Sequence, residues 1–551
     1  MKIIGFNSFS HDCSISLIEN NEIKSCFQEE RFTRVKAADN IESVPNLSLE
    51  SIEKYFNFSI FDDDVVLTTT SPINIRDNFM YKILEKKNIL YYPHHLCHAA
   101  GVYFTSGFKE KTLVVVFDGS ESNNFHEDII TKDNFKNLCF RNSSCSTIFT
   151  GENNKLTEIY KMKGGPKSEN MTVFNVVNPV ASLWGEVCRI YNWKENKDEG
   201  KVMGLAAQGK FDEEIYNHLK MGFAYSNLQF DLYSSNIFGF VLSELDKNGL
   251  IQEKKKDVCF NFQKLTEDKI LEYIWDLHKK FPGHKKLCLS GGLFANVKLN
   301  QRINEYGPFD EIYIMPPMGD CGVSLGSALI HSNKEYNYET KRWDNVFLGI
   351  DYTQEEMDTY IDSSIHKIFP YSPNYIAELL NNGKVIGTFV GKTEYGPRAL
   401  GSRSILVEPS RKETHEYLNK KLDRNEIMPF APIVMSEYVS DIMYAYRSQR
   451  AAEFMTLCYT VKDEWVEKIP AVINIFDKTC RPQIVFKERN NFFHEILDEF
   501  NKLTGIPVLL NTSFNSHGEP IINHPTHAIN HLNKGSIDFL ILGNKILEKK
   551  S

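Results

Sequence analysis

The sequence predicts an α/β protein of two or more domains, the first of them duplicated within itself. Length is the first sign: single hydrophobic cores stop growing near ~250 to 300 residues, and this chain has 551. The second is a repeated opening. An apolar strand at residues 2–8 runs into His11 and Asp12, and about a hundred residues later TLVVVFDGSES, residues 112–122, runs into Asp118-Gly119-Ser120. The third is LCLSGGLFANVKLN, residues 287–300, which reads strand, Gly291-Gly292, helix. Strands that end in acidic or glycine turns before helices are how doubly wound folds offer strand ends to ligands.

Composition narrows the class. With 63 basic and 72 acidic side chains the formal charge is −9, which argues against a phosphate-backbone binder and leaves room for a local basic pocket. Hydrophobic content of 42% and charged content of 25% are those of a soluble globular protein. Eleven cysteines lie scattered with no CxxC pair, as expected in a reducing cytoplasm. MKIIGFNSFSHD reads as a strand and not a signal peptide, and no run reaches the ~18 to 20 apolar residues of a membrane span. A soluble cytoplasmic protein is expected.

In chain order, residues 2–8, 14–18 and 22–28 read as strands, the last two joined across Asn20-Asn21. EERFTRVKAADN, residues 29–40, reads by itself as a solvated charged face. In YYPHHLCHAAGVYF, residues 91–104, Pro93 starts a helix that puts His94 and His98 on one face, within reach of one metal ion. His95 points elsewhere. The run around Gly204, residues 200–207, is rich in small residues that let a backbone pass close to a ligand or to another helix. Residues 211–262 read as a helical and loop insertion. The diglycine Gly291-Gly292 with Asn296 suits nucleotide packing against a helix N-terminus. Asp320, in the turn after EIYIMPP, either completes a set of two histidines and one carboxylate that suits Fe(II), with Zn(II) as competitor, or caps the next helix.

The polar stretch at residues 331–345 is the expected domain junction. Beyond it, GKTEYGPRALGSRSILVEPSR, residues 391–411, follows the buried strand 385–390 and sets Arg398, Arg403 and Arg411 with Glu394 and Glu408 into Gly/Pro turns. Guanidiniums on a rigid loop suit a polyanionic small molecule, although separate ion pairs would explain them equally. Arg424, Arg481, Asn511 and Ser513 would join the same pocket.

SHDCS, EERFTR, HHLCHAA, DGSES, EGKVMGLAAQGK, LSGGLFANVKLN, MGDCGVSLGSAL, EYGPRALGSRSIL, MPFAP and LNTSFNSHGEPI, in this order, closely resemble the motifs of the O-carbamoyltransferase family of NodU/CmcH type. The resemblance implies two domains. Residues 1–340 would be a duplicated actin-like (ASKHA) ATPase fold similar to threonylcarbamoyl-transferring enzymes, and residues 346–551 a YrdC-like α/β domain. It also implies a reaction: carbamoyl phosphate and ATP, with Mg(II), give carbamoyladenylate in the second domain. The first domain then passes the carbamoyl group to a hydroxyl of a small-molecule acceptor, a sugar or natural product, and AMP leaves.

By the same resemblance His94, His98 and Asp320 match metal ligands, expected to hold Fe(II). Arg398, Arg403, Arg424, Arg481, Asn511 and Ser513 match phosphate and nucleotide contacts of the adenylating site. His11 and Lys36 match positions beside the transferred group, and Asp118 the position where the acceptor is held. Gly204, Gly291, Gly292 and Asn296 match the second nucleotide site. Two departures stand out: Leu422 occupies a position where several relatives have lysine, leaving Lys420 or Lys421 to serve, and DGSES replaces a more usual DGxGE. A homodimer is the implied oligomer. Transfer to a nucleotide or nucleic acid, including threonylcarbamoylation of tRNA, is disfavoured by the net charge. A non-catalytic nucleotide-binding module is disfavoured because both sets of site residues are present.

Overall fold

The opening segments form the expected meander, with nearly every residue of the first two strands buried. Strands β1 (Lys2–Asn7) and β2 (Ser14–Glu19) pair antiparallel, with Lys2 opposite Glu19 and Asn7 opposite Ser14. Asn20 and Asn21, both left-handed at φ 52° and 61°, turn the chain into β3 (Glu22–Gln28). The computed structural model describes all residues except 9–11, 39–44, 71–81, 123–127, 132–142, 163–179, 196, 232–234, 248, 424–427, 445–446, 448 and 551. His11 and Arg424 therefore lie outside the described residues. The chain divides into two units: Met1–Lys24 with Asn40–Trp343, and Ser25–Asp39 with Asp344–Ser551.

In the first unit β4 (Val65–Thr69) and β5 (Ile89–Tyr91) extend the opening sheet, and helix α1 (His94–Ser106) follows. β6 (Thr112–Ser122) begins a second sheet, while β7 (Asp128–Ile130) returns to the edge of the first. β8 (Ser143–Glu152) and β9 (Lys155–Lys161) continue the second sheet. Helices α2 (Glu199–Ala206) and α3 (Lys255–Lys280) pack together in the long insertion. Then come β10 (Lys286–Ser290), α4 (Val297–Tyr306), β11 (Glu311–Ile314) and α5 (Val323–Tyr336).

The strand orders are β3-β2-β1-β4-β5-β7 and β9-β8-β6-β10-β11. In both sheets the first strand has an antiparallel meander on one side and parallel strands on the other. The internal duplication is thus visible in the topology.

Close backbone approach fixes α5 in the middle of this unit. A Cβ on Gly5 of β1 would come 1.9 Å from Ser324 O, and one on Gly326 would come 1.9 Å from Cys97 O of α1. Hydroxyls of Ser14 and Ser16 meet that of Ser324 at 2.8 and 2.9 Å, satisfying polar groups buried by the contact.

The second unit is built on an eight-stranded mixed sheet. Its strands are β12 (His366–Pro370), β13 (Ile386–Phe389), β14 (Ser404–Val407), β15 (Ala431–Met435), β16 (Gln483–Val485), β17 (Val508–Ser513), β18 (Phe539–Leu542) and β19 (Lys545–Lys549). They run in the order β12-β19-β18-β13-β14-β17-β15-β16. Helices α6 (Pro373–Asn381) and α7 (Asn491–Thr504) are capped by Ser372 and Asn490, whose side chains accept from Tyr375 N and Phe493 N. Their apolar faces, including Ile376, Leu380, Phe493 and Leu497, bury Ile386, Leu406, Ile433 and Leu509 of the sheet. No helix among the described residues is long and apolar enough to cross a membrane.

Gly291, at the end of β10, has φ +101°, and a Cβ there would meet Phe117 O at 2.0 Å. Gly291→Ala is predicted to lower unfolding stability by roughly 2 to 4 kcal/mol through strain and backbone overlap. Denaturant unfolding within ~0.5 kcal/mol of the unaltered chain would contradict this.

Candidate metal centre and arginine loop

The carboxyl ends of the parallel strands and the start of α1 converge on four side chains. Pro93 opens α1, and the helical spacing then sets the rings of His94 and His98 4.7 Å apart at 87°. Asp118 projects from β6. Asp320 stands just before α5 in a short turn where its side chain makes no capping hydrogen bond. One donor atom from each of the four lies within 4.8 Å of all the others.

The pairwise geometry is tight. His94 Nε2 is 3.0 Å from Asp118 Oδ2 and 3.4 Å from Asp320 Oδ1, and His98 Nε2 is 3.6 and 3.5 Å from the same atoms. The far sides of the rings are tethered: His94 Nδ1 lies 3.4 Å from Thr70 Oγ1 and His98 Nδ1 lies 3.2 Å from Ser290 Oγ. Ser290 donates its hydroxyl to Met318 O, so it accepts from His98, and the His98 proton sits on Nδ1. In the neutral ring Nε2 then carries the lone pair; it is buried and has no hydrogen-bond partner among the described residues. A buried imidazole lone pair facing two carboxylates, its other nitrogen held by a hydroxyl, is the donor arrangement of a metal site. The residues fit a divalent ion.

Without an ion the two carboxylates favour the protonated rings, so binding a metal would release a proton. Burial alone would lower the pKa of His94, but Asp320 and Asp118 outweigh it and push it well above the usual value; His98 is raised for the same reason. Burial works against ionisation of Asp118, yet His98 and His94 hold it well below the carboxylate range, and Asp320 is likewise depressed. The Asp118 Oδ1 atom accepts from Gly292 N at 3.0 Å, which ties the diglycine turn to the cluster. Asn7 Nδ2 donates to Asp320 O at 3.0 Å and to Asp12 O at 3.1 Å.

Asn296 and Gly204, expected at the second nucleotide site, lie where helices α2, α3 and α4 cap and pack. Asn296 accepts from Leu299 N as the cap of α4 and exchanges amide hydrogen bonds with Gln263 of α3. Gly204 is buried in α2, which packs on α3. His95 points into the second sheet, 2.7 Å from Thr147 Oγ1.

In the second unit the loop between β13 and β14 is held from within. Glu394 Oε1 accepts from Leu400 N, Ser402 N and Arg403 N at 2.9, 2.7 and 3.1 Å. Gln483 donates to Leu400 O, and Asn511 donates to Ala399 O and to Gln483 Oε1. Arg403 is completely buried, its Cζ 3.6 Å from the centre of the Phe389 ring, and its Nη1 donates to Val390 O and to Ser402. Ser513 pairs with Ser404 at the end of β17, and Arg398 and Arg481 are half-buried at the loop and before β16. Arg411 departs from the expected fork: it is exposed and pairs with Glu408 at 3.0 Å. Lys421 binds Asp538 at 2.5 Å, Leu422 is buried and Lys420 is exposed.

EERFTR corrects the expectation of a solvated face, because Glu29 and Arg31 are 3% exposed and the segment belongs to the second unit. Lys36 is exposed in the turn Lys36–Ala38. Sequence reasoning missed the contacts that Gln28, Arg31 and Gln483 make with the arginine loop and that Ser290 makes with His98. The one available signal was Phe27 and Phe32 flanking the charged run, whose rings lie 5.4 Å apart.

The chain belongs to the carbamoyltransferase family. Models described as Carbamoyltransferase N-terminus and Carbamoyltransferase C-terminus match residues 54–329 and 377–549, and the protein is a transferase enzyme. It is 30% identical to an uncharacterized protein of Methanocaldococcus jannaschii over 85% of this chain and 75% of that one. It is 25% identical to nodulation protein NolNO of Sinorhizobium fredii over 99% and 80%, and 32% identical to nodulation protein U of Rhizobium tropici over 43% and 40%. Among solved structures, full-length HypF in its phosphate- and nucleotide-bound form is 17% identical with a TM-score of 0.40, over 61% of this chain and 56% of that one. Component A of Acidaminococcus fermentans (R)-2-hydroxyglutaryl-CoA dehydratase is 13% identical with a TM-score of 0.35, over 60% and 97%. Likenesses at that level carry no argument.

Two predictions arise from these sites. His98→Ala should lose bound metal in elemental analysis of the purified protein, and a metal content equal to that of the unaltered chain would contradict the ligand set. His527 gives the second. Burial first, then the charge of Arg34, lowers its pKa to about 4. The folded chain then binds fewer protons there than the unfolded chain, so stability falls as pH drops from ~6.5 toward the folded pKa. His527→Gln should lose less thermal stability than the unaltered chain over that interval, and equal losses would contradict the shift.

Proposed function

We propose that this protein is an ATP-dependent O-carbamoyltransferase acting on a hydroxyl of a sugar or other small natural product. The observation that carries the reading is the match of family models to both parts of one chain, each part holding a distinct set of buried charged residues. The first unit is read as actin-like, which its repeated strand order supports. The YrdC-like reading of the second unit rests on its motifs.

In the second unit carbamoyl phosphate loses its phosphoryl group to water, giving phosphate and carbamate. A carbamate oxygen attacks the α-phosphorus of ATP, the bond to the bridging oxygen breaks, and pyrophosphate leaves. Arg398, Arg403, Arg424 and Arg481 would neutralise the charges of ATP-Mg(II) and of pyrophosphate, with Asn511 and Ser513 orienting the nucleotide. Asn511 already secures the arginine loop through Ala399 O. Lys420 is the lysine left exposed to serve there.

In the first unit the acceptor hydroxyl attacks the carbamoyl carbon, and the carbon–oxygen bond to AMP breaks. His94, His98 and Asp320, with Asp118 beside them, would hold Fe(II) in preference to Zn(II). The ion, when bound, supplies Lewis-acid polarisation of an acyl or phosphate oxygen. Asp118 would position the acceptor hydroxyl and His11 would take its proton, while Lys36, which belongs to the second unit, would steady the carbamoyl group where the adenylate forms. Gly291 and Gly292 would seat the adenylate near Asp118, with Gly204 and Asn296 supporting the walls.

Carbamoyl phosphate should drive ATP–pyrophosphate exchange, and Arg481→Ala and Ser513→Ala should each reduce it by about 10² or more. His11→Ala should keep exchange and lose transfer to the acceptor by about 10² to 10⁴. Unchanged exchange in both of the first two variants would remove the adenylation assignment.

A further inference from the structure

Arg31, from the N-terminal part of the chain, reaches the β13–β14 loop that carries Arg403. Arg31 donates Nη2 to Gly396 O at 2.7 Å and to Gln28 Oε1 at 3.3 Å, while Gln28 Oε1 accepts from Gly396 N at 3.1 Å. The peptide groups on both sides of Gly396 are therefore fixed by residues 28 and 31. Arg34 adds a second grip, donating to Ile521 O and Pro520 O at 2.7 Å each.

The other donors of these buried guanidiniums are unfilled. Arg31 Nη1 has no hydrogen-bond partner among the described residues, and its Nε faces only Glu30 Oε1, at 3.4 Å. Arg403 uses Nη1 alone, leaving buried Nε and Nη2 without partners among the described residues. Arg31 holds Gly396 O of this loop and Arg403 holds Val390 O and Ser402 at its two ends, and their charges oppose one another: burial first lowers the pKa of Arg403 to about 10, Glu394 opposes this, and Arg31 adds to the depression. Buried donors of a group that stays charged are costly to leave unmade, so open donors on two guanidiniums that grip the same loop mark a place that a ligand completes. Glu394 does not complete it, because its Oε1 is taken by three amides and its Oε2 is itself buried without a partner among the described residues.

We propose that Arg31 is a direct ligand in the second unit and forms, with Arg403, a subsite for a tetrahedral oxyanion the size of phosphate. Resting on the reading of this unit as the carbamoyl phosphate site, the subsite takes the phosphoryl group of that substrate. The Glu394 Oε2 atom suits the N–H₂ group of the carbamoyl end, the one donor such an anion carries. Guanidinium forks match phosphate oxygens in pairs, which an ammonium at position 31 cannot reproduce.

The test is isothermal titration of the full chain with inorganic phosphate, beside steady-state kinetics. Arg31→Met should weaken phosphate binding about tenfold or more. Arg31→Lys, which keeps the charge and one donor to Gly396 O, guards against a folding defect and should weaken it about threefold or more. In the Lys variant KM for carbamoyl phosphate should rise while KM for ATP stays within about twofold, a split that a merely structural role would not give. A folded Arg31→Lys or Arg31→Met chain with unaltered phosphate affinity overturns the subsite, as does absence of phosphate binding by the unaltered chain. Phosphate binding that depends on Arg31, without carbamoyl phosphate-driven exchange, supports the subsite and removes the carbamoyl reading.

Discussion

The first unit depends on how closely helix α5 can approach its neighbours. Glycine at positions 5 and 326 removes the side chains that would otherwise collide with Ser324 O and Cys97 O, so α5 lies against β1 and α1 at backbone distance. That contact brings Asp320, at the head of α5, to His94 and His98, at the head of α1. β6 delivers Asp118 from the other sheet. Two acidic and two imidazole groups are thereby buried together, and the paired signs of their pKa shifts show each pair stabilising the other's charge.

The second unit solves a different problem, the burial of cations on a turn. Its arginine loop is rigid because one carboxylate oxygen of Glu394 gathers three amides, and because Gln483 and Asn511 take the carbonyls of Leu400 and Ala399. Residues 25–39 contribute to the same loop although the chain on either side of them belongs to the first unit. A loop so constrained keeps guanidiniums in place before any ligand arrives, which is the preorganisation that charge stabilisation requires.

Much of this was legible in the residues. Pro93 and the i, i+4 spacing of His94 and His98 state their own geometry, and the strand openings at β1 and β6 announce the repeat seen in both sheets. Asp118 as a member of the cluster was not legible, since nothing local says which carboxylate at a strand end turns toward α1. Arg31 was misjudged because a charged run shows no period that distinguishes solvent from a polar neighbour far away in sequence. Gln483 gives no local signal, and its partners Leu400 and Asn511 are brought near only by the pairing of β14, β17, β15 and β16.

The central claim is that carbamoyl phosphate is activated on AMP before it reaches a hydroxyl. The most direct measurement is mass spectrometry of the protein incubated with ATP and isotopically labelled carbamoyl phosphate, without acceptor. The account predicts labelled carbamoyl-AMP together with pyrophosphate and phosphate. ATP left intact, or converted to ADP with no label on any nucleotide, would contradict it.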